Sequence, residues 1–242
     1  MGDHRSLLRF APFLTWVGAG LAFVAYPALR PYADETAMPG LAAMASDRWV
    51  VAHLLGMTGF VLLAAGVTSL TGSRRLATVA VLLLLPYYGG EAFALHAVGQ
   101  YAVRTGDVNL LAIASGFRYQ PAAMTMFGIG LLLLAVVAVR LVVATRHAGR
   151  GLRIAVWITA AGLALYLPQF YGTPTLRIAH GVLLGLGCVL VGLASRASTA
   201  PAAPAALDQA MTPIGAPVKP GNTLAVLAPG KREATTSLRT AR

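Results

Sequence analysis

Acidic residues are scarce in this chain: eight Asp and Glu stand against 19 Lys and Arg in 242 residues. Charged residues of both signs reach only 11%, under half of the quarter or so usual in soluble domains. That shortage excludes a disordered chain and an ordinary cytosolic enzyme. Cysteine is nearly absent too. Cys188 stands alone inside an apolar run, which excludes an intrachain disulfide and a cysteine-cluster metal site. The metal-binding spacings HxxxH and HExxH are missing, and the seven methionines are scattered rather than arrayed.

What the chain has in abundance is apolar surface: 57% hydrophobic residues and a mean hydropathy of +0.70. Apolar runs longer than about 18 residues recur through the first 195 positions, the mark of a multi-pass membrane protein. A net charge of +11 would point to nucleic acid in a soluble protein. Here the basic residues fall in short runs between apolar segments, so they orient helices in a bilayer and exclude a nucleic-acid partner. The expected partner is the bilayer itself, with a lipid or a small apolar ligand as a candidate beside it.

The pattern predicts an all-α integral membrane protein, a bundle of six transmembrane helices over residues 1–196. The expected spans are 8–28, 49–70, 76–99, 121–145, 154–170 and 176–195. Most have close to the 20 residues that cross about 30 Å of hydrocarbon at 1.5 Å per residue. Alternation of the β-barrel kind is absent, and Leu82–Leu85 and Leu131–Leu134 are unbroken leucine runs. Arg5 and Arg9 before the first span resemble a signal-peptide start, but the run is long for a cleaved segment and Pro27 interrupts any cleavage site, so a retained helix is expected. The remainder, 197–242, is rich in Ala, Pro and Thr and carries Lys219, Lys231, Arg232, Arg239 and Arg242. It buries too little apolar surface to offset its ordering entropy, and is expected to be a disordered basic tail.

Orientation follows from counting Lys and Arg in the loops. Arg74, Arg75, Arg146, Arg150, Arg153 and Arg196 fall on one side with Arg5 and Arg9. Arg30, Arg48, Arg104, Arg118 and Arg177 fall on the other, with Asp34, Glu35, Asp47 and Asp107. The richer side is expected to be cytoplasmic, with both termini, in the plasma (inner) membrane of the cell.

Polar residues within the spans gather toward the outer side. His53 lies one turn into the second span, Glu91 and His96 in the outer half of the third, and Arg177 and His180 at the start of the sixth. Gln169 and Tyr171 close the fifth. The third span reads Pro86-Tyr87-Tyr88-Gly89-Gly90-Glu91; Pro86 removes a backbone donor and the glycines weaken the helix, so a kink or bulge is expected there. Tyr87 and Tyr88, four and three residues before Glu91, share its face on a regular helix. Arg177 is the expected counter-ion of Glu91, as the one basic residue within a span at that depth.

An ionisable residue within a span is a functional-site hypothesis, because hydrocarbon penalises it. Three readings stay open from these residues. In the first, His53, His96, Arg177, His180, Gln169 and Tyr171 bind a cofactor or small ligand, with His53, His96 and His180 as ligands to haem or a divalent metal. In the second, Glu91 donates or accepts a proton on a lipid or isoprenoid, assisted by Tyr87 and Tyr88. In the third, the polar groups clip helices together in a non-catalytic structural or assembly protein.

The charge asymmetry sets the first test. In intact cells, an impermeant thiol reagent should label a cysteine placed at Asn109, in the outer loop, and leave one placed at Gly149 untouched. The opposite labelling pattern would invert the topology.

Overall fold

A computed structural model describes residues 3–199, with side chains over 10–197. Of the tail expected over 197–242, residues 197–199 continue the last helix instead, and the remainder lies outside the described residues. Among them there is no strand; every regular element is helical.

The helices are α1 (Asp3–Leu29), α2 (Met38–Met44), α3 (Asp47–Thr71), α4 (Arg75–Gly89), α5 (Leu95–Thr105), α6 (Leu111–Arg118), α7 (Pro121–Ala144), α8 (Arg150–Ala164) and α9 (Pro174–Thr199). Local sequence sets several starts. Ser46 caps α3, its side chain accepting from the Trp49 N–H. Gln120 caps α7, its Oε1 accepting from the Ala123 N–H at 2.7 Å, and Pro121 follows at the first helical position, where its missing donor costs nothing.

Five stretches are long and apolar enough to cross a membrane: Phe10–Leu29, Asp47–Thr71, Arg75–Thr105, Pro121–Ala144 and Pro174–Ala197. Their length and apolarity suggest a multi-pass membrane protein. The expected span 154–170 is different. Helix α8 stops at Ala164, and its 15 residues rise about 22 Å at 1.5 Å each. The sequence supplies the reason. Pro168 lacks an N–H and disfavours helical geometry at Leu167, so the chain leaves the α-helix and re-forms as a short 3₁₀ turn over Pro168–Tyr171.

The long helices pack in a closed order. α1 lies against α3, α3 against α4, α4 against α7, α7 against α8, α8 against α9, and α9 returns to α1. Between them sits an apolar core that includes Phe23, Phe60, Leu84, Phe127, Leu134, Leu184 and Cys188. The crossing of α1 and α9 is close because both helices present glycine. A Cβ added at Gly20 would stand 2.6 Å from the Gly185 carbonyl oxygen, and one at Gly185 would stand 2.6 Å from that of Gly20. Small residues of this kind let membrane helices approach backbone to backbone.

At one end, the short helices form a second apolar cluster of Leu41, Met44, Trp49, Leu95, Ala102 and Ala114. This end is joined to the bundle by an irregularity within Arg75–Thr105. Pro86 is accommodated inside α4, and the chain then makes a π turn over Gly90–Ala94, where the Leu95 N–H donates to the Gly90 carbonyl five residues back. The irregularity in this stretch is thus a π turn that begins at Gly90 and Glu91, just beyond the proline. A π turn is rare and recurs at functional sites.

The α1–α9 crossing generates a prediction. Gly20→Val should cost about 1–3 kcal/mol, because neither backbone can retreat without opening the core. Thermal unfolding in detergent reads this as a clear drop in melting temperature, whereas Gly149→Val, at a position with open space around it, should leave stability unchanged.

Candidate functional site

The π turn carries Glu91 into the bundle, 6% exposed. A carboxylate there requires a donor, and the partner differs from the one expected. Arg118, at the end of α6, holds it with two bonds: Nε to Oε1 at 2.7 Å and Nη2 to Oε2 at 3.0 Å. Its remaining nitrogen, Nη1, donates to Glu35 Oε2. Glu35 Oε1 in turn accepts from Arg30 Nη2 at 2.7 Å. The result is one line of alternating charge, Glu91–Arg118–Glu35–Arg30, running from the span into the segment between α1 and α2.

Packing places Arg118 there. The ring of Phe117 occupies the space that a side chain at Gly90 would fill. Glycine at the π turn therefore lets α6 lie directly on it, and the next residue reaches Glu91. The expected Glu91–Arg177 pair does not form. Arg177 donates instead to backbone carbonyls, Nε to Gly172 at 3.1 Å and Nη2 to Phe170 at 2.5 Å. Those carbonyls are available because α8 gives way to the 3₁₀ turn and the chain bends before α9.

Trp49 ties the line to α3. Its indole is fully buried and its Nε1 donates to the Glu91 carbonyl oxygen at 2.6 Å. The guanidinium carbons of Arg30 and Arg118 lie 4.6 Å and 5.6 Å from its ring centroid. Both cations thus have a carboxylate on one side and an aromatic ring on another, the arrangement in which arginine tolerates burial. Burial opposes ionisation of the Glu35 carboxyl, but the charges of Arg30 and Arg118 outweigh it and hold the group below the usual carboxylate range. For Arg118, burial is likewise outweighed, and its pKa is raised by the bonds and charge of Glu91 and Glu35.

His53 lies next to Trp49 on α3, ring centroids 4.6 Å apart. Its Nδ1 is 2.7 Å from the Trp49 carbonyl oxygen, one turn back. A carbonyl only accepts, so Nδ1 carries a proton and Nε2 is the open nitrogen. Nε2 faces Glu91 Oε2 at 3.8 Å. His53, Glu91, Arg118, Glu35 and Arg30 line a cavity of about 180 Å3, with Tyr26, Tyr87, Tyr88 and Arg177 also on its wall. Tyr87 stacks on Phe127 with centroids 4.3 Å apart, and the Tyr88 hydroxyl is 3.1 Å from that of Tyr166.

Of the residues singled out in the sequence, Glu91, His53, Tyr87, Tyr88 and Arg177 are thus gathered at one cavity. His180 and Gln169 stand aside with Arg177 in a cleft of about 10 Å3; His180 Nε2 bonds the Gly162 carbonyl oxygen at 2.7 Å. His96 turns away, its Nδ1 2.9 Å from the Met44 carbonyl oxygen. Tyr171 is 88% exposed and takes no part. The three histidines therefore do not converge. Among the described residues no group of three or more His, Cys, Asp or Glu side chains is arranged to hold a metal ion. The haem and divalent-metal readings lack a ligand set here, and the cavity is too small for a macrocycle.

Sequence reading missed Arg30, Glu35, Arg118, Tyr26 and Trp49. Arg30, Arg118 and Glu35 entered it only as loop charges. The available signal was the demand of Glu91 for a cation, set against two arginines in the neighbouring loops.

No protein-family model matches the chain, and no curated protein or solved structure matches it.

A double-mutant cycle separates the two pairings. Arg118→Met leaves buried carboxylates unpaired and should cost about 3–5 kcal/mol. Adding Glu91→Gln should recover a sizeable part, so the two changes couple. Arg177→Met with Glu91→Gln should be additive. Coupling to Arg177 and additivity with Arg118, read by thermal or denaturant unfolding, would reverse the assignment.

Proposed function

We propose that this chain is a multi-pass membrane protein that binds a small anionic molecule, a carboxylate or a phosphate, in the pocket of Arg30, Arg118, Arg177, Glu35, Glu91 and His53. The observation that carries this reading is the charge of the lining: three guanidiniums against two carboxylates around one cavity. Arg177 is the unmatched cation. Its bonds go to backbone carbonyls, and its Nη1 has no partner among the described residues. The tyrosines supply hydroxyl donors and the histidine an adaptable nitrogen. A volume of about 180 Å3 lies below the range of about 300–1,000 Å3 typical of drug-sized sites, which favours a compact ligand.

Six crossings complete the proposal, with the third kinked at its π turn. Helix α7 ends near Arg140 and α9 begins near Arg177, at opposite ends of the bundle, and α8 with the turns after it joins them. Loop charge then sets the pocket toward the outer leaflet and both termini in the cytoplasm of a cell-membrane protein.

A second reading has its own observation, the open Nε2 of His53 beside Glu91. In that reading the site is an acid–base centre acting on a lipid or isoprenoid. His53 takes the proton and Glu91 stabilises the imidazolium that forms. Glu91, with both oxygens accepting from Arg118, is the stabiliser rather than the donor.

Thermal unfolding of the purified full chain tests the first reading. A panel of small carboxylates and inorganic phosphate should contain at least one ligand that raises the melting temperature in a saturable manner, worth about 2.7 kcal/mol at 100 times its Kd. Arg177→Gln should abolish that rise while leaving the unliganded protein folded. Stabilisation by uncharged analogues alone, or by none of the panel, would remove the anion reading. His53→Gln should keep the stabilisation; loss of turnover without loss of binding in that variant would establish the second reading.

A further inference from the structure

A second cavity lies at the opposite end of the bundle, and its walls have the opposite character. It measures about 510 Å3 and is enclosed mainly by apolar side chains of α4 and α7, among them Val79, Leu133 and Val137. Val79 is about half exposed, so the cavity reaches the outer face of the bundle, where an integral protein meets acyl chains. Two arginines stand at its polar end: Arg75, the first residue of α4, and Arg140, one turn from the end of α7. Among the described residues neither guanidinium makes a hydrogen bond or an ion pair.

Among the described side chains, these cations have no counter-charge at their end of the bundle. Between Phe10 and Ala197 the acids are Asp34, Glu35, Asp47, Glu91 and Asp107, and all five belong to the other end of the bundle. Arg74, Arg146, Arg150 and Arg153 add further positive charge to this one. An arginine pair at the headgroup level, above an apolar groove of this depth, is complementary to a phosphate with a hydrocarbon chain beneath it. Neither element alone would identify the occupant. A bare groove fits any lipid, and bare arginines fit any anion.

We propose that the groove between α4 and α7 is a binding site for one anionic phospholipid, its phosphate held by Arg75 and Arg140 and an acyl chain laid along Val79, Leu133 and Val137. The bidentate fork of arginine suits phosphate, and basic pockets between membrane helices hold anionic headgroups on this physical basis. The site is independent of the pocket around Glu91, with which it shares no residue.

The experiment uses the full chain reconstituted in nanodiscs of mixed phosphatidylcholine and phosphatidylglycerol, then released into mild detergent and weighed by native mass spectrometry. The wild-type chain should retain one phosphatidylglycerol in preference to phosphatidylcholine. Arg75→Gln with Arg140→Gln should lower that retention about tenfold or more, with phosphatidylcholine unaffected. Val79→Trp, which fills the groove and leaves both arginines in place, should lower it as well. Arg153→Gln, which removes a charge at the same end outside the groove, should not. All four substituted positions are exposed, so folding is checked by helicity and elution volume alone. Wild-type retention by either folded groove variant overturns the proposal, and so does an equal loss in Arg153→Gln, which would reveal diffuse charge attraction.

Discussion

A single carboxylate, buried where helices meet, shapes one whole end of this molecule. Glu91 is brought inside by the π turn, and an unpaired charge there would cost about 3–5 kcal/mol, a large part of an ordinary fold's stability. Its demand is met from the loops. Helix α6 folds back over Gly90 to deliver Arg118, and the segment after α1 supplies Glu35 and Arg30 to balance Arg118 in turn. Trp49 then seals the line with a bond to the Glu91 backbone and a face to both guanidiniums. The short helices α2, α5 and α6 and their apolar cluster are the scaffold that makes this pairing possible.

Hydropathy made the long helices legible, because a run of apolar residues in a bilayer has little choice of conformation. The starts of α3 and α7, at Asp47 and Pro121, fall within two residues of the expected spans 49–70 and 121–145. The end of α8 was not: an apolar count extends past Leu165, while the backbone yields to Pro168. The site was read in half. Residues within spans stood out because hydrocarbon penalises charge, and Glu91, His53, Tyr87, Tyr88 and Arg177 do meet at one cavity. Arg118, Arg30 and Glu35 looked like ordinary loop charges, since hydropathy carries no information on which loops fold inward. Likewise His96 and His180 sit at suitable depths in the sequence, yet their rings are directed by single backbone carbonyls, Met44 and Gly162, that no pattern discloses.

The two ends of the bundle solve the problem of charge in different ways. Near Glu91, cations and anions are interleaved, buried and hydrogen-bonded, which fixes geometry. Near Arg75 and Arg140, cations stand together at the surface with no acid beside them among the described side chains, which leaves their field directed outward. The first arrangement stores organisation within the protein. The second leaves its completion to whatever surrounds it.

The closure of α9 on α1 has a consequence for how the chain is made. Gly20 and Gly185, which touch at that crossing, are separated by 165 positions. During synthesis at about 5–20 residues per second, α1 emerges first and waits for its second neighbour until nearly all the other helices exist. Its glycine-lined face is therefore the last interface of the bundle to be occupied, and lipid or an insertion factor must cover it meanwhile. Ring closure by the final helix makes the first helix the one whose placement is decided last.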